Sequence, residues 1–170
     1  MARKQARVAA MQMIYEQREG GDGGEETLCG LIGFGAQDPE EDAPAPEGAL
    51  EQPEAEPSPA SEDAAPAAPV SSPEFEEDCA FIRSLVSGVT ARAAELDGQI
   101  APYLRGWSMD RVARVDLAIL RLAVYELSSG DTPQSVIINE AVEMAKRFSS
   151  DKSGSFVNGV LGAFVRGEKP

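Results

Sequence analysis

The sequence predicts an all-α fold, and three observations carry that reading. Apolar residues recur in steps of three and four along five separate segments, the spacing of a single buried helix face. Gly, Pro and Ser bound those segments at positions suited to helix ends. No stretch alternates apolar and polar residues with period two between turn signals, so no strand is predicted.

Residues 1–19 make the first helix. Good helix formers run throughout, Val8, Met11, Ile14 and Tyr15 supply the apolar stripe, and Gly20-Gly21 stops it. Residues 20–73 then hold 13 of the 29 acidic residues, none of the 15 basic ones and 9 of the 12 prolines. Such a stretch cannot bury enough apolar surface to offset chain entropy of about 1–2 kcal/mol per residue, so a disordered acidic insert is predicted. An apolar island at residues 28–34 has two glycines and no periodic stripe, which argues against a docking motif.

The helical part resumes at residue 74 and runs to 170. Ser71, Ser72, Pro73 and Glu74 suit a helix start. The long helix that follows carries Phe75, Cys79, Ile82, Leu85, Val86, Val89, Ala93 and Leu96 on one face and is expected to end or bend at Asp97-Gly98. Residues 100–104 add one short turn. Residues 109–127 form the next helix with Ser108 as its cap, and apolar side chains lie nearly all round it. A helix of that kind is central and buried, so its Asp116 and Arg121 require partners or a route to the surface. Asp131, Thr132 and Pro133 start another helix, with Ile137, Ala141, Met144, Ala145 and Phe148 inward. A loop over 149–154 leads to the last, with Phe156, Val157, Val160, Leu161 and Phe164 inward and with Gly159 and Gly162 placed for close helix packing.

Function classes narrow in the same way. The insert carries -13 of the net charge of -14, so the remaining residues are near neutral and bulk charge does not argue against nucleic-acid binding. No apolar run is long enough to cross a membrane, no signal-peptide core follows the first residues, and two cysteines 50 residues apart fit a reduced compartment, so a cytoplasmic protein is expected. Histidine is absent, which removes the commonest general base and metal ligand. Glu140 and Glu143 lie on an outward face among basic neighbours and read as ion-paired surface rather than an acid/base dyad. No enzyme, cofactor or metal is predicted.

Two clusters invite an anionic ligand. Arg3, Lys4 and Arg7 occupy the first turns of a helix, where cations oppose the macrodipole, and Arg3 and Arg7, four apart, share a face that can present two guanidinium groups to phosphates. Lys152, Ser155 and Phe156 combine a cation, a hydroxyl and a ring at a helix N-terminus, a set suited to single-stranded RNA. Read blandly, the first cluster is a solvated basic terminus and the second a cap with a core Phe.

The segments RKQARVAAMQMIY (3–15), VARVDLAILRLAVYEL (112–127), VIINEAVEMAKRF (136–148) and SFVNGVLG (155–162) resemble, in order and spacing, the NusB family of transcription antitermination factors. The resemblance covers everything but the insert. It implies two packed helical bundles and a protein that pairs with NusE, a small-subunit ribosomal protein, to bind boxA-type single-stranded RNA. With NusA and NusG such a pair holds to RNA polymerase and supports processive transcription of ribosomal RNA operons. Carried over, the family's RNA-facing positions fall on Arg3, Lys4 and Arg7 and on Lys152, Ser155 and Phe156, and its NusE-facing positions on Tyr15 and Asp116. The basic run is interrupted by Gln5, and the insert stands where relatives place a short helix. An alternative keeps the fold as a protein-only scaffold that binds NusE or another partner without RNA, the insert's charge excluding it.

Overall fold

The computed structural model describes residues 3–20 and 73–167, and all regular structure among them is helical. The predicted insert, with its apolar island and Cys29, lies outside the described residues apart from Gly20 and Pro73. We number the helices α1 (Arg3–Arg18), α2 (Pro73–Ala91), α3 (Ala93–Ile100), α4 (Arg114–Ser129), α5 (Gln134–Phe148) and α6 (Ser153–Arg166).

Each helix buries the stripe its sequence offers. In α1, Ala6, Val8, Ala9, Ala10, Met11, Met13 and Ile14 are all buried, because small alanines let neighbouring helices close on more than one face. In α2, Cys79, Ile82, Leu85, Val86 and Val89 line the core, so Cys79 is a small buried hydrophobe as its spacing predicts. In α4, the run from Ala118 to Val124 is buried without a break. It is the central helix: α1 and α2 pack on each other and on α4, α5 and α6 pack on each other and on α4, and α3 touches it as well. Two helical groups thus share one core, and no described helix is long and apolar enough to cross a membrane.

Three local expectations are corrected. The long helix breaks at Arg92 (φ -109°, ψ 15°), and α3 runs straight through Asp97-Gly98, since the Asp97 carboxylate is held by Arg121 instead of competing for its own backbone. Residues 109–127 are not one helix. Met109–Arg111 is a 3-10 turn, Val112 and Ala113 are extended, and α4 begins at Arg114, with the Leu117 N–H donating to the Ala113 carbonyl. The extended step delivers Val112 to the core, and Ser108 makes no capping bond. Gly159 and Gly162 do not mediate helix packing: open space surrounds the first, and the second faces the side chain of Arg166 on its own helix.

Candidate functional site

The N-terminus of α1 separates three cations that the sequence groups together. Arg3 and Lys4 are exposed, and the Arg3 guanidinium rests over the Phe81 ring at 4.1 Å, a cation–π contact that fixes its direction. Arg7 turns inward and is only 5% exposed. Its Nε donates to both carboxylate oxygens of Glu126 at 3.0 and 2.9 Å, and its Nη2 donates to Oε1 at 2.8 Å. A guanidinium so engaged has no face for a phosphate, so the expected pairing of Arg3 with Arg7 does not form.

A cation from α5 fills the gap. Lys146 is exposed and its Nζ donates to Glu143 Oε1 at 2.8 Å. That bond, reinforced more weakly by the charge of Lys4 on α1, holds the Glu143 carboxyl below the usual carboxylate range. The Lys146 stem lies across Gly154, where an added Cβ would stand 2.9 Å from Lys146 Cγ, so glycine is what lets this lysine lie flat on the start of α6. Lys152 and Ser155 are exposed beside it. The two sequence-predicted patches are therefore not adjacent. Arg7 meets α4 at Glu126 and Ser153 meets it at Asp116, ten residues or about 15 Å apart along the axis. In the sequence Lys146 is only one of the basic neighbours of Glu143 on an outward face, since nothing in its own helix says what it lies against.

Phe156 lines a cavity of about 320 Å³ with Trp107, Arg111, Asp116, Lys152 and Ser153 among its walls. Trp107 is 55% exposed, and its ring lies 6.2 Å from that of Phe156 at a tilt of 58°. A tight turn sets it there: Gly106 has φ 73° and the Trp107 N–H donates to the Leu104 carbonyl at 2.9 Å. Asp116 is 5% exposed; Oδ2 accepts the Ser153 hydroxyl at 2.9 Å, while Oδ1 has no hydrogen-bond partner among the described residues. Trp107 was missed because it stands in a loop between helices and belongs to no periodic stripe.

Tyr15 lines a different hollow, an open groove of about 450 Å³ formed with Arg18, Glu19, Met109, Leu117 and Arg121. Arg121 donates to both Asp97 oxygens at 2.6 and 2.8 Å, which is the partner its buried position required, and Arg114 pairs with Glu19 across the groove. Tyr15 and Asp116, expected on one partner-facing surface, thus line separate cavities that meet only at Val112.

A sequence profile of the NusB family matches residues 49–166, which leaves α1 outside the match. The chain is 49% identical over 92 residues to the Transcription antitermination protein NusB of Acetivibrio thermocellus, covering 54% of this chain and 63% of that one. It is 53% identical over 95 residues to the protein of the same name from Symbiobacterium thermophilum, covering 55% and 62%. The chain thus spans a little over three fifths of the length of the curated relatives it matches. Among solved structures, T. maritima NusB superposes with a TM-score of 0.65 at 26% identity over 100% of this chain and 94% of that one. NusB in a complex with NusE and double-stranded RNA superposes with a TM-score of 0.63 at 21% identity over 98% and 99%, a likeness of fold.

Proposed function

The chain belongs to the NusB family, and from that membership we propose that it is a non-enzymatic antitermination factor of the cytoplasm that binds RNA together with NusE. Its RNA is single-stranded and of boxA type, and with NusA and NusG the complex supports elongation by RNA polymerase on ribosomal RNA operons. The observation that carries the RNA part is a set of exposed cations, Arg3, Lys4, Lys146 and Lys152, linked across elements by the charge of Lys4 acting on Glu143, the bond of Lys146 to that same carboxylate and the Lys146 stem lying on Gly154. Cations from three elements along one edge can follow a phosphate chain. Ser155 and Phe156 belong to the same edge, and Arg7 serves it indirectly by fixing α1 to α4. For NusE, the Tyr15 groove is the reading, because it combines a half-buried ring with ion pairs at its rim.

Binding of a boxA strand and a scrambled strand, with and without NusE, tests this over a range of salt. Each phosphate neutralised on a single strand contributes about 0.7 to the slope of log K against log salt, so Arg3→Glu with Lys4→Glu lowers the slope by roughly 1.4. Both side chains are exposed, so the fold persists. An unchanged slope removes these cations from the mechanism. Failure of the parent chain to bind either strand leaves the protein-only scaffold.

A further inference from the structure

We propose that Trp107 and Phe156 form an aromatic notch that takes one unstacked base of the bound strand, with Arg111 and Lys152 holding the phosphates beside it. This reading rests on the RNA function above and adds Trp107 and Arg111 to it, two residues to which the family resemblance gives no role.

Trp107 carries the argument because the fold does not need its ring. Phe156 packs against the buried core, as do Phe81, Phe148 and Phe164; Trp107 stands outside it, more than half open to solvent. One exposed ring alone would mean little. This one is held in place by the left-handed turn at Gly106 and the bond from its own N–H to Leu104, and it shares a cavity with a second ring and two cations. The inclination of 58° keeps the two rings from stacking face to face, so a wedge remains between them.

The charges say what the wedge receives. Arg111 and Lys152 are exposed at the cavity walls, and neither has an ion-pair partner among the described residues. Arg7, Arg92, Arg114, Arg121 and Lys146, by contrast, each meet a carboxylate. Asp116, the one acid of the walls, is buried and accepts from Ser153, so the charge this cavity turns to solvent is positive. A ring platform flanked by free cations matches a single-stranded nucleotide, whose flat base stacks while its phosphates take the charges. A protein segment fits only where it brings an apolar side chain with acids beside it; every nucleotide of RNA brings a ring and phosphates together. Lys152 also lies two residues from Gly154, on which the Lys146 stem rests, so the notch continues the cation set.

Trp107 is the one tryptophan in the 170 residues, so the intrinsic fluorescence of the full chain reports on the notch directly. The probes are the boxA strand and an abasic ribose-phosphate oligomer of the same length and charge. The boxA strand quenches Trp107, whereas the abasic oligomer binds more weakly and without quenching. Trp107→Ala, at an exposed position that carries little folding risk, lowers affinity for the boxA strand about tenfold, followed by anisotropy of labelled oligomers. It leaves the affinity for the abasic oligomer and the salt slope unchanged, and Trp107→Phe restores part of the loss. Arg111→Glu instead lowers the slope of log K against log salt by about 0.7 for both oligomers. Unchanged boxA affinity in Trp107→Ala, or an equal loss with both oligomers, overturns the notch while the cation surface stands. Binding of neither oligomer by the parent chain, at low salt, overturns the RNA reading itself and the notch with it. Quenching by NusE alone, in a complex that Trp107→Ala weakens while RNA binding is untouched, gives the notch to a protein and overturns the proposal.

Discussion

Replacing Arg7 distinguishes a phosphate-binding residue from one that holds the fold. Arg7 and Glu126 are 5% and 7% exposed, and three N–H to carboxylate contacts of 2.8–3.0 Å join them. Thr132 adds a longer contact to Nη2 at 3.4 Å. Arg7→Ala strands a buried carboxylate, which costs about 3–5 kcal/mol because Glu126 loses its counter-charge and remains out of water. Set against a total stability of 5–15 kcal/mol for a typical domain, the loss is large. At about 4 °C per kcal/mol, it lowers the melting temperature by roughly 12–20 °C, read by circular dichroism at neutral pH. The control is the double replacement Arg7→Met with Glu126→Leu, which removes both charges and fills the space. It recovers most of the loss, since an ion pair exchanged for packed apolar groups is near neutral while a broken pair is not. A single variant that melts within about 1 kcal/mol of the parent and loses RNA affinity would refute this, and would return Arg7 to the surface.

Two further outcomes probe the packing and the cation set. An Ala Cβ at position 88 would lie 2.2 Å from Tyr125 Oη and 2.3 Å from Cζ, so Gly88→Ala destabilises by up to about 2 kcal/mol despite better helix propensity; in a Tyr125→Ala background the sign reverses to a gain of about 1 kcal/mol, as paired urea titrations should register. The Glu143 carboxyl, followed by NMR, titrates below the usual range; Lys146→Ala raises it most and Lys4→Ala less, and no response to Lys4→Ala would detach the end of α1 from the set. Because folding lowers this pKa, its contribution is present above the ordinary carboxylate value and is lost as pH falls through the folded one.

Periodicity located the helices and most of the core, since a buried stripe is a local property of each segment. It put the end of the long helix at Asp97-Gly98 instead of at Arg92, where neither Gly nor Pro marks the chain, and it could not see that a distant arginine holds the Asp97 carboxylate so that the helix runs on through Gly98. It ran α4 back to Met109 because every residue there tolerates a helix, and only the burial of Val112 requires the extended step. At the candidate site the limit is the same. Arg3 and Arg7 share a face of an isolated helix, but the glutamate that claims Arg7 lies 119 residues away, beyond any local rule. Asp116 was legible as a misfit inside an apolar helix; which cavity it faces was not.

The three buried charges of α4 follow one design with one exception. Glu126 takes Arg7 of α1, Arg121 takes Asp97 of α3, and Asp116 takes Ser153 of α6. A carboxylate or guanidinium set in an apolar helix accepts few registers of its neighbour, so these contacts fix where three other elements dock around the central helix more sharply than apolar packing does. The first two contacts are bidentate pairs of opposite charge and leave nothing over. The third sets a full negative charge against one hydroxyl and leaves an oxygen bare, although fixing α6 would need no more than a neutral acceptor at that position. Docking therefore accounts for Glu126 and Arg121 completely, but for only one of the two Asp116 oxygens.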